Sequence, residues 1–224
     1  MNQHLESAIP EPIVSERQRR STRAAEGLDR LAFTADDLFA MVKAGILKED
    51  DRVELVDGEI VVMAAKGNRH ELVKFALLNF LYAQKPDNIS VIPETTYRFS
   101  DSVVLEPDIT LFWRSAGLAN LAPDNTLLII EVADTSLRYD KKRKAAIYAH
   151  YGIKEYWVVD AVTLTTEVFK EPSPEGYKKI QDKAAGDLLT PEADPSLAVR
   201  LAEPRPALSF HAPVHVDGGA GDVG

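Results

Sequence analysis

The chain has 224 residues, 45% hydrophobic and 27% charged, which suits one domain with a sizeable core and tails. It has no cysteine, which excludes disulfides and thiolate metal sites and leaves carboxylates and five histidines as ligands, a set suited to hard ions such as Mg²⁺ or Mn²⁺. The net charge of −9 counts against a broad phosphate-binding surface, although two short basic strips exist, Arg17, Arg19, Arg20 and Arg23, then Arg138 with Lys141, Lys142, Arg143 and Lys144.

No stretch approaches the roughly 18 apolar residues of a membrane span, and the N-terminus carries no apolar run of the signal-peptide kind. A cytoplasmic protein with no membrane partner is expected.

Residues 1–30 contain Pro10, Pro12 and mixed charges without apolar periodicity, and read as a flexible arm. Thr34, followed by Asp36 and Asp37, reads as a helix N-cap, and Gly45 closes that short helix. Asp57-Gly58 between residues 52–56 and 59–64 signals a tight hairpin. Asn68 is expected to cap a helix to about Gln84, whose many apolar residues predict deep packing against a sheet. Strands follow near 89–93, 96–99, 107–113 and 126–132. The unalternating LLIIEV predicts a central strand covered on both faces. Asp140 is expected to cap a helix over about 141–151 that Gly152 ends, and strands at 155–160 and 164–170 come next. The order predicts a mixed α/β domain around one sheet, spanning 31–183. Residues 184–224, rich in Pro and Gly, read as a poorly ordered tail, with one short docked segment around Leu208 to Phe210.

Two acids stand out. Glu131 ends an apolar strand, and Asp108 sits between Pro107 and Ile109 at the start of another. A buried carboxylate is costly unless paired or metal-bound, so both acids could meet at one end of a sheet around a divalent ion. Each alone reads more readily as a loop cap or an ion-pair partner. Lys144 lies on one helical stripe with Tyr148 and Tyr151, which predicts an inward-facing ammonium able to stabilise a phosphate or orient water. A surface pair with Asp140, contributing about 0.3–0.5 kcal/mol, is the competing reading.

The segments ELVDGEI (54–60), PDITLF (107–112), LLIIEVADTSLRYDKKRK (127–144) and YAHYGIKEYWVVD (148–160) closely resemble the restriction-endonuclease family Uma-two, of the PD-(D/E)XK nuclease superfamily. The resemblance spans about residues 33–180. It implies a restriction-endonuclease-like mixed central sheet flanked by helices, and an Mg²⁺- or Mn²⁺-dependent phosphodiesterase site acting on DNA. It casts Asp108 and Glu131 as the metal-binding acids. The lysine usual two residues after the second acid is absent, since position 133 is alanine. Lys144 matches the family's pattern instead, completing the catalytic set Asp108, Glu131 and Lys144. Glu54 matches a recurrent further acid, though it reads equally as an exposed hairpin acid. His70 matches a recurrent histidine that could contact phosphate or support the site, or else be satisfied by solvent at the helix start. Cutting both strands usually needs two sites, which is consistent with a homodimer. The alternative is a catalytically silent nucleic-acid-binding or protein-interaction module that keeps the fold.

Overall fold

The structure is a computed structural model that describes residues 18–19, 30–48, 51–63 and 65–201. Of the arm expected over 1–30, β1 (Gln18–Arg19) and Arg30 are described; β1 pairs antiparallel with β2 (Arg30–Leu31). The rest of the arm, with Arg17, Arg20 and Arg23 of its arginine strip, lies outside the described residues.

Helix α1 (Ala35–Lys43) starts with a reciprocal cap. The Asp37 N–H donates to Thr34 Oγ1 at 3.1 Å, while the Thr34 N–H donates to Asp37 Oδ2 at 2.9 Å. Strands β3 (Val53–Val56) and β4 (Glu59–Val62) form the expected hairpin. Asp57 and Gly58 take φ of 51° and 77°, the left-handed pair that a two-residue type I′ turn requires. Then come α2 (Asn68–Gln84), β5 (Ile89–Pro93), β6 (Tyr97–Arg98), β7 (Val104–Leu105), β8 (Ile109–Trp113) and β9 (Thr126–Ala133). A helix over 137–150, α3, leads to β10 (Glu155–Asp160), β11 (Thr166–Ser173) and β12 (Gly176–Lys183).

Six strands form the main sheet in the order β12-β11-β10-β9-β8-β5, and β4-β3-β7-β6 form a smaller antiparallel one. All eight residues of β9 are buried, as its unalternating sequence requires. It pairs parallel with β10 through the α3 crossover and antiparallel with β8. One face of β9 sends Leu128, Ile130 and Val132 towards Leu77 and Leu81 of α2. The other sends Ile129 and Ala133 towards Tyr148 of α3 and Tyr156 of β10. The mixed α/β architecture expected from the sequence is present, but around two sheets rather than the one expected, with the acids where the main sheet meets the smaller one.

Four local expectations are corrected. Gly67, not Asn68, is the N-cap of α2. Helix α2 is not packed deep: Leu72, Phe75 and Tyr82 are 68%, 55% and 47% exposed, because its contact stripe is the narrower line of His70, Lys74, Leu77 and Leu81. Asp140 does not begin a helix; α3 starts at Leu137 and widens into a π turn over Asp140–Lys144. The packed domain also continues beyond residue 183. Leu189 and Val199 bond each other's backbone at 2.9 Å in both directions, and with Leu197 they are buried against the α2 side of the sheet. This segment has no helical or strand period, so only its burial reveals it. The segment expected around Leu208 lies outside the described residues. Among the described residues, no helix is long and apolar enough to cross a membrane.

Candidate active site

Strand register brings the two acids together. Ile109 of β8 sits opposite Ile130 of β9, so the next position outward sets Asp108 against Glu131. The Asp108 backbone N–H donates to Glu131 Oε2 at 3.3 Å, and the Val132 N–H donates to Asp108 Oδ2 at 2.9 Å. Each carboxylate is thus held partly by the backbone of the other's strand.

Helix α3 supplies the cation. Lys144 Nζ is 2.9 Å from both Glu131 Oε1 and Glu54 Oε1, and is buried rather than paired on the surface with Asp140. The Tyr148 hydroxyl, one turn further on, donates to Glu131 Oε1 at 2.8 Å, and the Glu106 N–H donates to Glu54 Oε1 at 3.1 Å. The π turn sorts the run DKKRK: Asp140 and Lys144 are buried, while Lys142 and Arg143 stay in solvent. Such turns recur at functional sites because they re-aim side chains that a regular helix would spread.

Asp108 belongs to a closed ring of hydrogen-bonded ionisable side chains. His70 Nε2 lies 2.9 Å from Asp108 Oδ2, and His70 Nδ1 lies 3.1 Å from Glu71. Lys74 bonds Glu71 at 2.9 Å and Glu94 at 2.7 Å. Lys66 pairs with Glu94 and returns to Asp108 Oδ1 at 3.0 Å. Glu94 takes a φ of 47°, a conformation costing an L residue roughly 1–2 kcal/mol, and its N–H donates to the Asp108 carbonyl. Strain held beside reactive groups is a mark of functional sites.

Burial pushes the Asp108 carboxyl up, but the His70 hydrogen bond and the Lys66 ammonium outweigh it and hold the group below the usual carboxylate range. Burial raises Glu131 well above its ordinary value; Lys144 opposes this, while Asp108, Asp140 and Glu54 add to it. Burial lowers Lys144, but Glu131, Glu54 and Asp140 win and the ammonium is held protonated. Around Lys144, three acids share one buried cation.

The five residues singled out from the sequence, Glu54, His70, Asp108, Glu131 and Lys144, line one cleft of about 220 Å³. Asp140, Tyr139 and Lys66 line it too and were not assigned there from sequence. The stripe that carries Lys144 also carried Tyr148, so that residue had a signal. Lys66, in AAKGN, had none. The Tyr139 hydroxyl is buried without a hydrogen-bond partner among the described residues, an arrangement costing about 1–3 kcal/mol unless a ligand answers it.

Among the described residues, no group of three or more His, Cys, Asp or Glu is arranged to hold a metal ion. The donor set nevertheless fits a hard divalent ion. Mg²⁺ is commonly held by one or two carboxylates with water and phosphate completing the shell. Asp108 Oδ1 and Glu131 Oε2 each have one contact here, which leaves a lone pair open on both. The surplus of carboxylates over cations around Lys144 favours an added positive charge.

A mixed sheet carrying paired acids at the ends of β8 and β9, with helices on both sides, defines a nuclease-like α/β fold of the restriction-endonuclease kind. The chain belongs to the Uma2 family, described as "Putative restriction endonuclease", whose sequence model matches residues 35–202. That match runs through the docked segment ending at 201. A solved structure described as "a putative nuclease belonging to DUF820 from Anabaena variabilis ATCC 29413" is similar over 74% of this chain and 91% of that one. Its TM-score is 0.59 at 18% identity, a likeness of fold. The type IIG restriction endonuclease BpuSI matches 57% of this chain and 16% of its own, with a TM-score of 0.38 and 16% identity, too slight to argue from. No curated protein matches the chain in sequence.

Proposed function

We propose that the protein is a divalent-metal-dependent endonuclease that hydrolyses phosphodiester bonds in DNA. The observation that carries this reading is the juxtaposition of Asp108 and Glu131 across β8 and β9 with Lys144 Nζ 2.9 Å from Glu131. Asp108 and Glu131 would hold Mg²⁺ or Mn²⁺, with Glu54 as a further acid. When bound, the ion supplies positive charge at a phosphate oxygen and makes a water easier to deprotonate.

The side chains divide the remaining work. His70 and Lys66 fix the two oxygens of Asp108, and the Tyr148 hydroxyl fixes Glu131. Lys144 has three N–H donors, of which Glu131 and Glu54 occupy two. The third is available to a phosphate oxygen, where a preorganised cation stabilises the charge that develops on the phosphoryl group. Cutting both strands calls for two such sites, so a homodimer belongs to the proposal, as does a cytoplasmic location.

The ion pairs that already neutralise Asp108 and Glu131 favour a second reading, a silent nucleic-acid-binding module of the same fold. One experiment separates the two. Supercoiled plasmid and linear DNA are incubated with the purified protein in Mg²⁺, in Mn²⁺ and in EDTA, beside Asp108→Asn. Nicking or linearisation that needs the ion and the aspartate supports the endonuclease. Binding without cleavage in either ion supports the silent module.

A further inference from the structure

A second depression runs beside the cleft along the start of α3, lined by Thr135, Ser136, Arg138, Tyr139, Lys142 and Arg143. Thr135, Ser136 and Tyr139 also line the cleft, so the two are continuous. The groove presents three cations and no carboxylate, on a chain whose net charge is −9. Arg138 and Lys142 stand four residues apart on one helix face, both outside the buried core and without an ion-pair partner among the described residues. Arg143 is tied to Asp57 of the β3–β4 turn by an exposed pair, which costs little to exchange. At the junction of cleft and groove lies the partnerless Tyr139 hydroxyl.

A nucleic-acid strand with one phosphate over Asp108 and Glu131 has to continue out of the cleft, and its next phosphates need cations. Lys66 and Lys144 of the acid-floored cleft are held in ion pairs, whereas the groove offers Arg138 and Lys142 free among the described residues. The other exposed features are weaker: the uncovered Leu72, Phe75 and Tyr82 of α2 have no occupant that the structure points to.

We propose that this groove seats the phosphates flanking the scissile one on the cut DNA strand, Arg138 and Lys142 each neutralising one phosphate. The Tyr139 hydroxyl donates to the phosphate oxygen at the junction. The assignment rests on the nuclease reading for the position of the scissile phosphate, but binding alone tests it.

The experiment measures anisotropy of a short fluorescein-labelled DNA duplex with the full chain in EDTA over a series of KCl concentrations. Arg138→Ala/Lys142→Ala should flatten the plot of log affinity against log salt by about 2 units, at about 0.9 for each phosphate no longer neutralised. Lys178→Ala/Lys179→Ala, on β12, should leave the slope unchanged. Tyr139→Phe should weaken binding severalfold at unchanged slope, since it removes a neutral donor. An unchanged slope in the Arg138/Lys142 variant, an equal loss in the β12 control, or no duplex binding by wild type would overturn the assignment. So would a slope loss seen with RNA and not with DNA. A wild type that binds with the expected slope pattern but never cleaves would sink the nuclease reading and leave the groove standing.

Discussion

Lys144 Nζ lies 2.9 Å from Glu131 Oε1 although thirteen residues separate the two, and the position where a lysine is expected on the strand itself is Ala133. Ala133 is fully buried among Ile129, Tyr148 and Tyr156, so a lysine there would enter the core on the α3 side. The crossover helix solves the same problem by folding back over the strand end. Its π turn brings Lys144 in beside Asp140 while Lys142 and Arg143 stay out.

Replacing that ammonium should therefore harm both rate and stability. Lys144→Ala is expected to lower cleavage by about 10² to 10³, the usual cost of losing a preorganised charge donor. It also leaves two buried glutamates without their cation, and breaking such a pair costs about 3–5 kcal/mol. Lys142→Ala should alter neither thermal stability nor the turnover rate at saturating DNA. Melting curves and single-turnover cleavage check both; equal rates for wild type and Lys144→Ala would remove the lysine from the mechanism.

His70 Nε2 is 2.9 Å from Asp108 Oδ2, and in the proposed mechanism the imidazole acts through Asp108 rather than on substrate. Supporting groups of this kind are worth about 10- to 100-fold in metal affinity. His70→Ala should weaken apparent Mn²⁺ binding by about that factor in calorimetry and largely recover its cleavage rate at saturating Mn²⁺. Asp108→Asn should not recover. A His70→Ala protein with wild-type affinity but a low maximal rate would instead put the imidazole at the reacting phosphate.

Much of this arrangement could be read from the chain because local rules and global packing agree. Asp57-Gly58 fixes its turn by φ alone, the apolar run before Glu131 demands a central strand, and the spacing of Lys144 and Tyr148 demands a shared face. Where burial is decided by distant partners the sequence is silent. Leu72 and Phe75 look like core, yet they are exposed, and α2 packs on the sheet through Leu77 and Leu81, with Val73, Leu78 and Phe80 beside them. Lys66, Lys74 and Glu94 look like solvated charges, yet they close a ring around Asp108. Leu189, Leu197 and Val199 sit in a stretch with no period, so nothing in it announces a docked segment.

Gly67 shows how tightly α2 approaches the site. A Cβ there would meet Asp134 Oδ2 at 2.6 Å. Because that oxygen is the far end of a flexible side chain, Asp134 can turn aside, and Gly67→Ala should cost less than about 1 kcal/mol. Asp134→Ala alone should be close to neutral, and adding it to Gly67→Ala should restore most of the loss. Thermal melts of the four proteins give the coupling; simple additivity would place the cost of Gly67→Ala in the helix start instead.

Glu155 fastens the last described segment to the sheet. Its Oε1 accepts from Trp157 Nε1 at 2.8 Å, its Oε2 accepts from the Glu192 N–H at 2.7 Å, and Lys170 lies 3.3 Å away. Glu155→Ala leaves the Trp157 and Glu192 N–H groups unanswered, at about 1–3 kcal/mol for a buried group, while Lys170 keeps its pair with the Glu192 carboxylate. The Leu189 and Val199 amides should then exchange hydrogen faster, while cleavage barely changes because no residue of 187–201 lines the cleft. Burial raises the Glu155 carboxyl above its usual value, against the Glu192 N–H, Trp157 and Lys170. The folded protein therefore keeps this proton to a higher pH than the unfolded chain does. Its contribution to stability is greatest below the ordinary glutamate value of about 4.3 and declines as pH rises from there through the raised one. The stability of wild type minus that of Glu155→Gln should fall across that window in melts taken at successive pH values. A difference that rises with pH would mean that Lys170 and the two N–H donors outweigh burial, and that the carboxylate is stabilised in place.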